Sequence, residues 1–76
     1  MRDFIKRAGE LGTCYITTGM AYDMRFDIDT VDVTDTELIL GNLDDSEIRI
    51  PLNIEMKYSD EDVWEGNGIC VRFEEK

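Results

Sequence analysis

Apolar and polar side chains alternate through residues 22–33, and this segment constrains the fold more than any other part of the chain. A period of two is typical of an antiparallel strand with one face buried and one face in water. The phase then changes, because Val31 and Val33 are apolar on the opposite parity. One extra residue near Thr30, a β-bulge, would return both valines to the buried face. The apolar positions before the change are Tyr22, Met24, Phe26 and Ile28.

A straight strand over this segment does not suit a small domain. At ~3.3 Å per residue it would be ~40 Å long, which is too long for a flat sheet in a chain of 76 residues. The chain length predicts a single domain, residues 1–76, near the lower limit for a core without disulfides or metals. We therefore predict a bent strand that is shared between two halves of a small barrel.

The pattern along the chain predicts a short N-terminal helix, residues 1–12, followed by a β domain, residues 13–76. Four apolar residues fall on one stripe at helical spacing, and Gly12 is placed to end the helix. This stripe either packs over an open end of the barrel or, failing that, forms a homodimer interface. The stripe residues are Phe4, Ile5, Ala8 and Leu11.

After residue 12, short segments rich in β-branched and aromatic residues alternate with turn sequences. Pro51 ends one strand, because its nitrogen cannot donate to a sheet ladder. The sequence Glu65-Gly66-Asn67-Gly68 is typical of a tight hairpin. Besides the bent strand, we predict strands at 14–18, 37–40, 46–50 and 69–73, renewed alternation at 54–58, an approach to the hairpin at 63–64 and a solvated tail at 74–76.

The bent strand, the tight hairpins and an Ile-Pro-Leu corner at 50–52 resemble SH3-like and Sm-like barrels. The resemblance covers roughly residues 22–73 and lies in strand order and turn chemistry. It implies a fold class and carries over no functional residues. We predict a mostly β fold, a small bent-sheet or SH3-like/Sm-like barrel of about five to six antiparallel strands with a short N-terminal α-helix.

The charge balance excludes several partners. Eighteen acidic side chains against eight basic ones give a formal charge of −10 at pH 7. Binding nucleic acid over a broad surface, or an anionic membrane, requires clustered Lys and Arg, so we expect neither. The pattern predicts no signal peptide and no membrane span. Cys14 and Cys70 are too few for a disulfide framework, which favours free thiols and a cytoplasmic protein; a bridge is left open should their strands be neighbours.

Catalysis is poorly supported by the residue types present. The chain has no histidine, so it lacks Ser-His-Asp and Cys-His arrangements and an imidazole for general acid–base chemistry near neutral pH. A reactive thiol needs nearby positive charge, whereas this chain supplies mostly negative charge. Carboxylates occur throughout the sequence, so their presence does not indicate any particular reaction. We predict no enzymatic activity, no catalytic residues and no cofactor.

Metal-binding motifs are also missing from the sequence. Two distant cysteines cannot close a zinc site. A calcium loop of the EF-hand type starting at Asp44 would place Ile48 and Arg49 where an oxygen ligand and a glycine are required. We predict no metal ligands. A loose cation site at residues 60–62, and with it a divalent-ion or small-ligand binder, is kept as an alternative hypothesis.

The acidic side chains offer two binding surfaces. On the bent strand, Asp27, Asp29 and Asp32 project from the outer face, and residues two apart are ~6.7 Å apart, comparable with successive phosphates. Residues 60–62 form an acidic loop beside Trp64. An exposed Trp64 would give an aromatic anchor ringed by charge, whereas a buried one would be an ordinary core residue.

These features favour a non-enzymatic small acidic interaction module that binds a basic protein partner through its acidic strand face and loop. A nucleic-acid-mimicking inhibitor of a nucleic-acid enzyme, of the kind made by phages or mobile elements, is the first alternative. The simplest explanation is that the acidic residues only keep the protein soluble. Both binding hypotheses have to be tested against it. The predicted partner-binding residues are Asp27, Asp29, Asp32, Asp60, Glu61, Asp62, Trp64 and Glu65.

Overall fold

One helix and eight strands make up residues 1–74, the part of the chain that the structure, a computed structural model, describes. The elements are α1 (Arg2–Ala8), β1 (Gly12–Thr17), β2 (Met24–Ile28), β3 (Thr30–Val33), β4 (Glu37–Gly41), β5 (Glu47–Pro51), β6 (Lys57–Tyr58), β7 (Val63–Gly66) and β8 (Ile69–Phe73). The five-stranded antiparallel sheet A has the order β2-β1-β8-β7-β6, and the three-stranded antiparallel sheet B has the order β3-β4-β5. The predicted mostly β fold with a short N-terminal helix is confirmed.

The number of strands differs from the prediction: residues 1–74 form eight strands, whereas about five to six were predicted. Within residues 1–74 the strands hydrogen-bond as two separate sheets, so the SH3-like or Sm-like barrel type stays a prediction. Of the predicted solvated tail at 74–76, residues 75 and 76 lie outside the described residues. No helix among residues 1–74 is long and apolar enough to cross a membrane.

The predicted bend lies at Asp29, the single residue between β2 and β3. The backbone N–H of Asp29 donates to the carbonyl oxygen of Gly41 over 2.8 Å, and its Oδ2 accepts from the N–H of Leu43 over 2.9 Å. These two bonds hold the chain at the point where it leaves sheet A and enters sheet B. The bent strand is therefore confirmed.

The valines after the bend return to the core side of the chain, as predicted. Val31 is opposite Leu40 and Val33 is opposite Leu38, and opposite residues of antiparallel strands face the same side. Both leucines are fully buried. Val31 packs against the core, whereas Val33, the last residue of the edge strand β3, is 53% exposed. The predicted burial therefore holds for Val31 only.

The beginning of the alternating segment lies outside the core. Tyr22 and Met24 are 89% and 43% exposed, while Phe26 and Ile28 are buried. The reason is that β2 begins only at Met24 and is the outermost strand of sheet A. The predicted burial of Tyr22 and Met24 is wrong.

Helix α1 packs its apolar stripe onto the core. Phe4 and Ala8 are fully buried, and the Phe4 ring centroid lies 5.6 Å from that of Trp64 and 5.8 Å from that of Phe73. The helix ends at Ala8, a turn earlier than the predicted stripe, because Leu11 adopts a left-handed conformation (φ 63°) that turns the chain into β1. The buried part of the stripe is thus occupied within the chain and does not form the alternative dimer interface.

The two cysteines lie on neighbouring strands but face opposite sides of sheet A. Cys14 on β1 is opposite Phe73, and Cys70 on β8 is opposite Thr17. The offset of three positions is odd, so the two side chains point to different faces. Both cysteines are free. The disulfide that the sequence left open is therefore not formed.

Two glycines of the β7–β8 hairpin test this fold, because a side chain at each should destabilise it to a different degree. Asn67 and Gly68 both have positive φ (45° and 81°), the two-residue turn predicted at this point. A Cβ at Gly66 would lie 2.6 Å from the carbonyl oxygen of Glu55 and 2.9 Å from Sδ of Met56, whereas a Cβ at Gly68 would meet nothing within 4 Å.

We expect Gly66→Ala to lower the free energy of unfolding by about 2–3 kcal/mol through backbone displacement. Gly68→Ala should cost only about 1–2 kcal/mol, the cost of a left-handed conformation. Gly19→Ala, with open space around it, is the control and should change stability by a few tenths of a kcal/mol. Urea unfolding measures all three, and a larger loss for Gly68→Ala than for Gly66→Ala would contradict the packing described.

Candidate functional site

The bend at Asp29 forms one side of a cleft of about 530 Å³. The start of β1 and the β4–β5 turn form its other walls. Three carboxylates line it, from Asp27, Asp29 and Asp44, together with the side chains of Leu11 and Leu43. No lysine or arginine among residues 1–74 lines this space. We call it the acidic cleft.

Two of the three carboxylates are held in place by hydrogen bonds. Thr13 Oγ1 donates to Oδ1 of Asp27 over 2.7 Å, and the Arg25 guanidinium lies 3.4 Å from the same oxygen. Asp29 accepts from the Leu43 N–H as described above. The carboxylate of Asp44 has no hydrogen bond or ion pair within the described chain. The cleft therefore has two positioned carboxylates, of which that of Asp27 is paired with Arg25, and a third, from Asp44, that is free.

Two leucines add an apolar edge to this negative site. Leu43 is 86% exposed and Leu11 is 39% exposed. An exposed leucine alone requires no explanation. Together with the three carboxylates, however, the two leucines suit a lysine or arginine side chain. Such a side chain has an aliphatic stem for the leucines and a charged end for the carboxylates. The geometry suits a basic side chain better than a free cation.

Asp32 does not belong to this site. It lies on β3 in sheet B, opposite Ile39, beyond the bend that separates it from Asp27. The bend moves it onto a different sheet, so the evenly spaced row of three aspartates expected from a single strand face is not kept. The side chain of Asp32 is exposed.

The acidic loop 60–62 lies at the same end of sheet A as Asp27. The Phe73 N–H donates to the Asp62 carbonyl oxygen over 3.1 Å, and the Glu74 N–H donates to the Thr13 carbonyl oxygen over 2.9 Å. Thr13 is opposite Asp27 in the β1–β2 pair. Three strand spacings, ~14 Å, therefore separate Asp27 from the loop. The structure brings the two predicted acidic groups to one end of the sheet and adds Glu74 between them.

Asp62 is compensated within the chain. Arg7 NH2 lies 2.8 Å from its Oδ2, and Arg7 Nε donates to Oδ1 over 3.0 Å. The same guanidinium stacks 4.4 Å above the Phe73 ring centroid and lies 3.2 Å from Glu10. Asp62 thus anchors helix α1 to sheet A, while its neighbours Asp60 and Glu61 are exposed.

Trp64 is a core residue, the second of the two cases considered for it. It is 8% exposed, and its ring meets Phe4 and Tyr58 edge to face at 5.6 and 5.2 Å. Of these three rings, that of Tyr58 reaches the surface, with 61% of the residue exposed. Glu65 is exposed on β7 between Lys57 and Cys70.

Neither thiol is chemically activated. Burial, followed by the charge of Asp27, raises the pKa of Cys14 to about 12. Burial and then Glu65 raise the pKa of Cys70 above its usual range. Both cysteines are thus held as neutral thiols near neutral pH, since a raised pKa disfavours the reactive thiolate.

The described residues hold no group of three or more His, Cys, Asp or Glu side chains arranged to bind a metal ion. The three acidic cleft carboxylates therefore do not form a coordination site of that kind. Asp44, Leu11 and Leu43 were not predicted as site residues, because only the pairing of distant segments brings them beside Asp27.

No protein family, curated protein or solved structure matches this chain in comparisons with known proteins.

The Arg7–Asp62 pair gives a test of how α1 is attached. We expect Arg7→Gln to lower the free energy of unfolding by about 2 kcal/mol, because it leaves a half-buried carboxylate unpaired and removes the contact with Phe73. The melting temperature should fall by on the order of 10 °C. Adding Asp62→Asn should recover part of the loss, since no unpaired charge then remains.

The control for this pair is Arg49→Gln. Arg49 bridges Glu37 and Glu47 at 3.0 Å, but its side chain is 53% exposed, so we expect little change in melting temperature. Equal losses for the Arg7 and Arg49 variants would rule out a special role of Arg7.

The buried thiol predicts a pH dependence. The pKa of Cys14 is about 12 in the folded chain against 9.0 in the unfolded one, so its contribution to stability is complete below pH 9 and declines from pH 9 towards 12. Between these limits the wild type should lose up to about 1.4 kcal/mol per pH unit more than Cys14→Ala. Unfolding curves at stepped pH measure the two slopes, and parallel slopes would contradict the burial of this thiol.

Proposed function

We propose that this protein is a non-enzymatic interaction module of the cytoplasm that binds a basic segment of a partner protein in the acidic cleft. The observation that supports it most directly is that Asp27, Asp29 and Asp44 line one concave surface that no described lysine or arginine lines. Two free thiols are in keeping with a reducing compartment.

The distribution of ion pairs supports the same proposal. Four arginines, Arg7, Arg25, Arg49 and Arg72, are engaged by carboxylates of the same chain. Since acidic side chains outnumber basic ones by eighteen to eight, an excess of negative charge remains after this pairing. A net charge of −10 attracts a basic partner over long distances and raises the rate of encounter, an effect that salt weakens.

The size and chemistry of the cleft suit one or two basic side chains. Its volume of about 530 Å³ falls in the range of sites that enclose small groups. The guanidinium or ammonium group would lie among the three carboxylates, and its aliphatic stem would contact Leu43. An arginine-rich or lysine-rich segment is accordingly the proposed ligand.

Nucleic-acid mimicry has less support in the geometry. A mimic of one phosphate row needs evenly spaced charges along a surface. Asp32 is separated from Asp27 and Asp29 by the bend, and Asp27 is already hydrogen-bonded to Thr13. We therefore propose the basic protein segment as the ligand.

A labelled arginine-rich peptide tests the proposal by fluorescence anisotropy. Asp27→Asn with Asp44→Asn removes two cleft charges and should weaken binding about tenfold, at ~0.7 kcal/mol per lost charge contact. Leu43→Ser should weaken it a few-fold. The matched control, Asp32→Asn with Asp35→Asn, removes the same charge from exposed positions outside the cleft.

The control pair should change affinity much less than the cleft pair. If the two double variants weaken binding equally, the peptide recognises net charge and the acidic cleft is not the site. An absence of binding at low salt would overturn the proposal altogether.

A further inference from the structure

The edge of sheet A beside the acidic cleft is formed by β2, which has no further strand on its outer side within residues 1–74. Asp27 and Ile28 of this strand line the cleft. The opposite edge is formed by β6, which has only two residues. An edge strand leaves backbone N–H and C=O groups without partners, and another extended chain can add to the sheet there.

Hydrogen bonds of the neighbouring strand show which backbone groups of β2 are free. The carbonyl oxygen of Thr13 on β1 accepts from the N–H of Glu74, the residue after β8, over 2.9 Å, so the backbone groups of Thr13 face β8. These groups alternate in direction along a strand, so those of Cys14 face β2. Phe26 lies opposite Cys14, and its N–H and C=O groups therefore point towards β1.

The free backbone groups are those of Arg25 and Asp27. These residues flank Phe26, so their N–H and C=O groups point away from β1, to a side where no described residue bonds to them. The Asp29 N–H points the same way and donates to Gly41 of β4. The edge is therefore open along Arg25 and Asp27 and is closed by β4 at Asp29.

The two faces of β2 differ in the side chains that they offer to an added strand. Arg25 and Asp27 lie on the outer face, with side chains 65% and 53% exposed, and Asp44 adds a carboxylate across the cleft. On the core face, Met24 is 43% exposed next to the buried Phe26. A chain that pairs here meets negative charge at Asp27 and an apolar surface at Met24.

We infer that the basic segment of the partner binds as an added antiparallel strand on the free edge of β2. The inference rests on the proposed function and names the conformation and the residue order of the ligand. A residue opposite Asp27 exchanges two backbone hydrogen bonds with it and carries a cation towards its carboxylate, and a second pair of bonds forms at Arg25. The residues before this cation leave the edge at Asp29, where β4 occupies it, and enter the acidic cleft.

This arrangement sets the order of residues in the ligand. Cations come first, one in the cleft and the next opposite Asp27. Apolar residues then lie opposite Phe26 and Met24 and cover the exposed part of Met24. Between them an uncharged residue faces Arg25, because a cation there would be repelled. The simplest ligand is a capped peptide with the order Arg-Arg-Val-Thr-Val.

Single N-methyl groups on this peptide test the pairing by fluorescence anisotropy at low salt. The amides of the second arginine and of the threonine face β2. Methylation of either should weaken binding about tenfold, because it removes a hydrogen bond and obstructs the edge. The amides of the two valines face away from β2, so methylation of either should change the affinity by less than about twofold.

A proline in β2 tests the same pairing from the side of the protein. The Arg25 N–H points away from β1, so Arg25→Pro removes no bond of the sheet and is compatible with an edge strand. It should weaken peptide binding about tenfold relative to Arg25→Ala, which makes the same change of charge. Arg25→Ala should bind as tightly as the wild type or more tightly, because it removes a cation beside Asp27. Thermal melting verifies that both variants are folded, and the N-methyl series, which uses the wild type, decides the question if Arg25→Pro is not.

Equal effects of all the N-methyl groups, or equal affinities of Arg25→Pro and Arg25→Ala, would overturn the inference. A wild-type dimer that Arg25→Pro converts to a monomer in sedimentation would also overturn it, because the edge would then belong to a second copy of the chain. If the peptide still binds and Asp27→Asn with Asp44→Asn still weakens it, the proposed function stands without this inference. If no basic peptide binds, both fail.

Discussion

The two hydrogen bonds of Asp29 determine how the sheets of this protein meet. One bond joins its N–H to Gly41 in sheet B, and the other joins its carboxylate to the N–H of Leu43. With both in place, a single residue is enough to pass the chain from β2 to β3. The same contacts draw the β4–β5 turn towards the end of β2. The acidic cleft is thus a direct consequence of the bend, because its walls are the segments that Asp29 ties together.

A second contact of this kind secures the other side of the core. Arg7 is held between the Asp62 carboxylate and the Phe73 ring, so α1 is fixed to sheet A by charge and by stacking. Phe4 is then buried against Trp64 and Phe73. Because α1 covers it, Trp64 is part of the core and does not form an exposed aromatic anchor. The docking of α1 also places Arg2 and Lys6 at the cleft between α1 and β6.

Local patterns predicted the bend well and the sites poorly. The alternation through residues 22–33 and its change of phase are local, so they were sufficient to place a bend within one residue of Asp29. The pairing of Arg7 with Asp62 spans 55 positions, and no periodicity reports such a distance. For the same reason Asp44 could not be assigned to the side of Asp27. The early end of α1 depends on the left-handed backbone of Leu11, a conformation that leucine rarely adopts.

Net charge and local charge have different consequences in this protein. At physiological salt a charge is screened beyond about 8 Å, so each surface site responds chiefly to the side chains close to it. The overall charge of −10 therefore governs solubility and long-range attraction of basic molecules. It does not fix the charge around each side chain, because four arginines lie in ion pairs with carboxylates of the same chain.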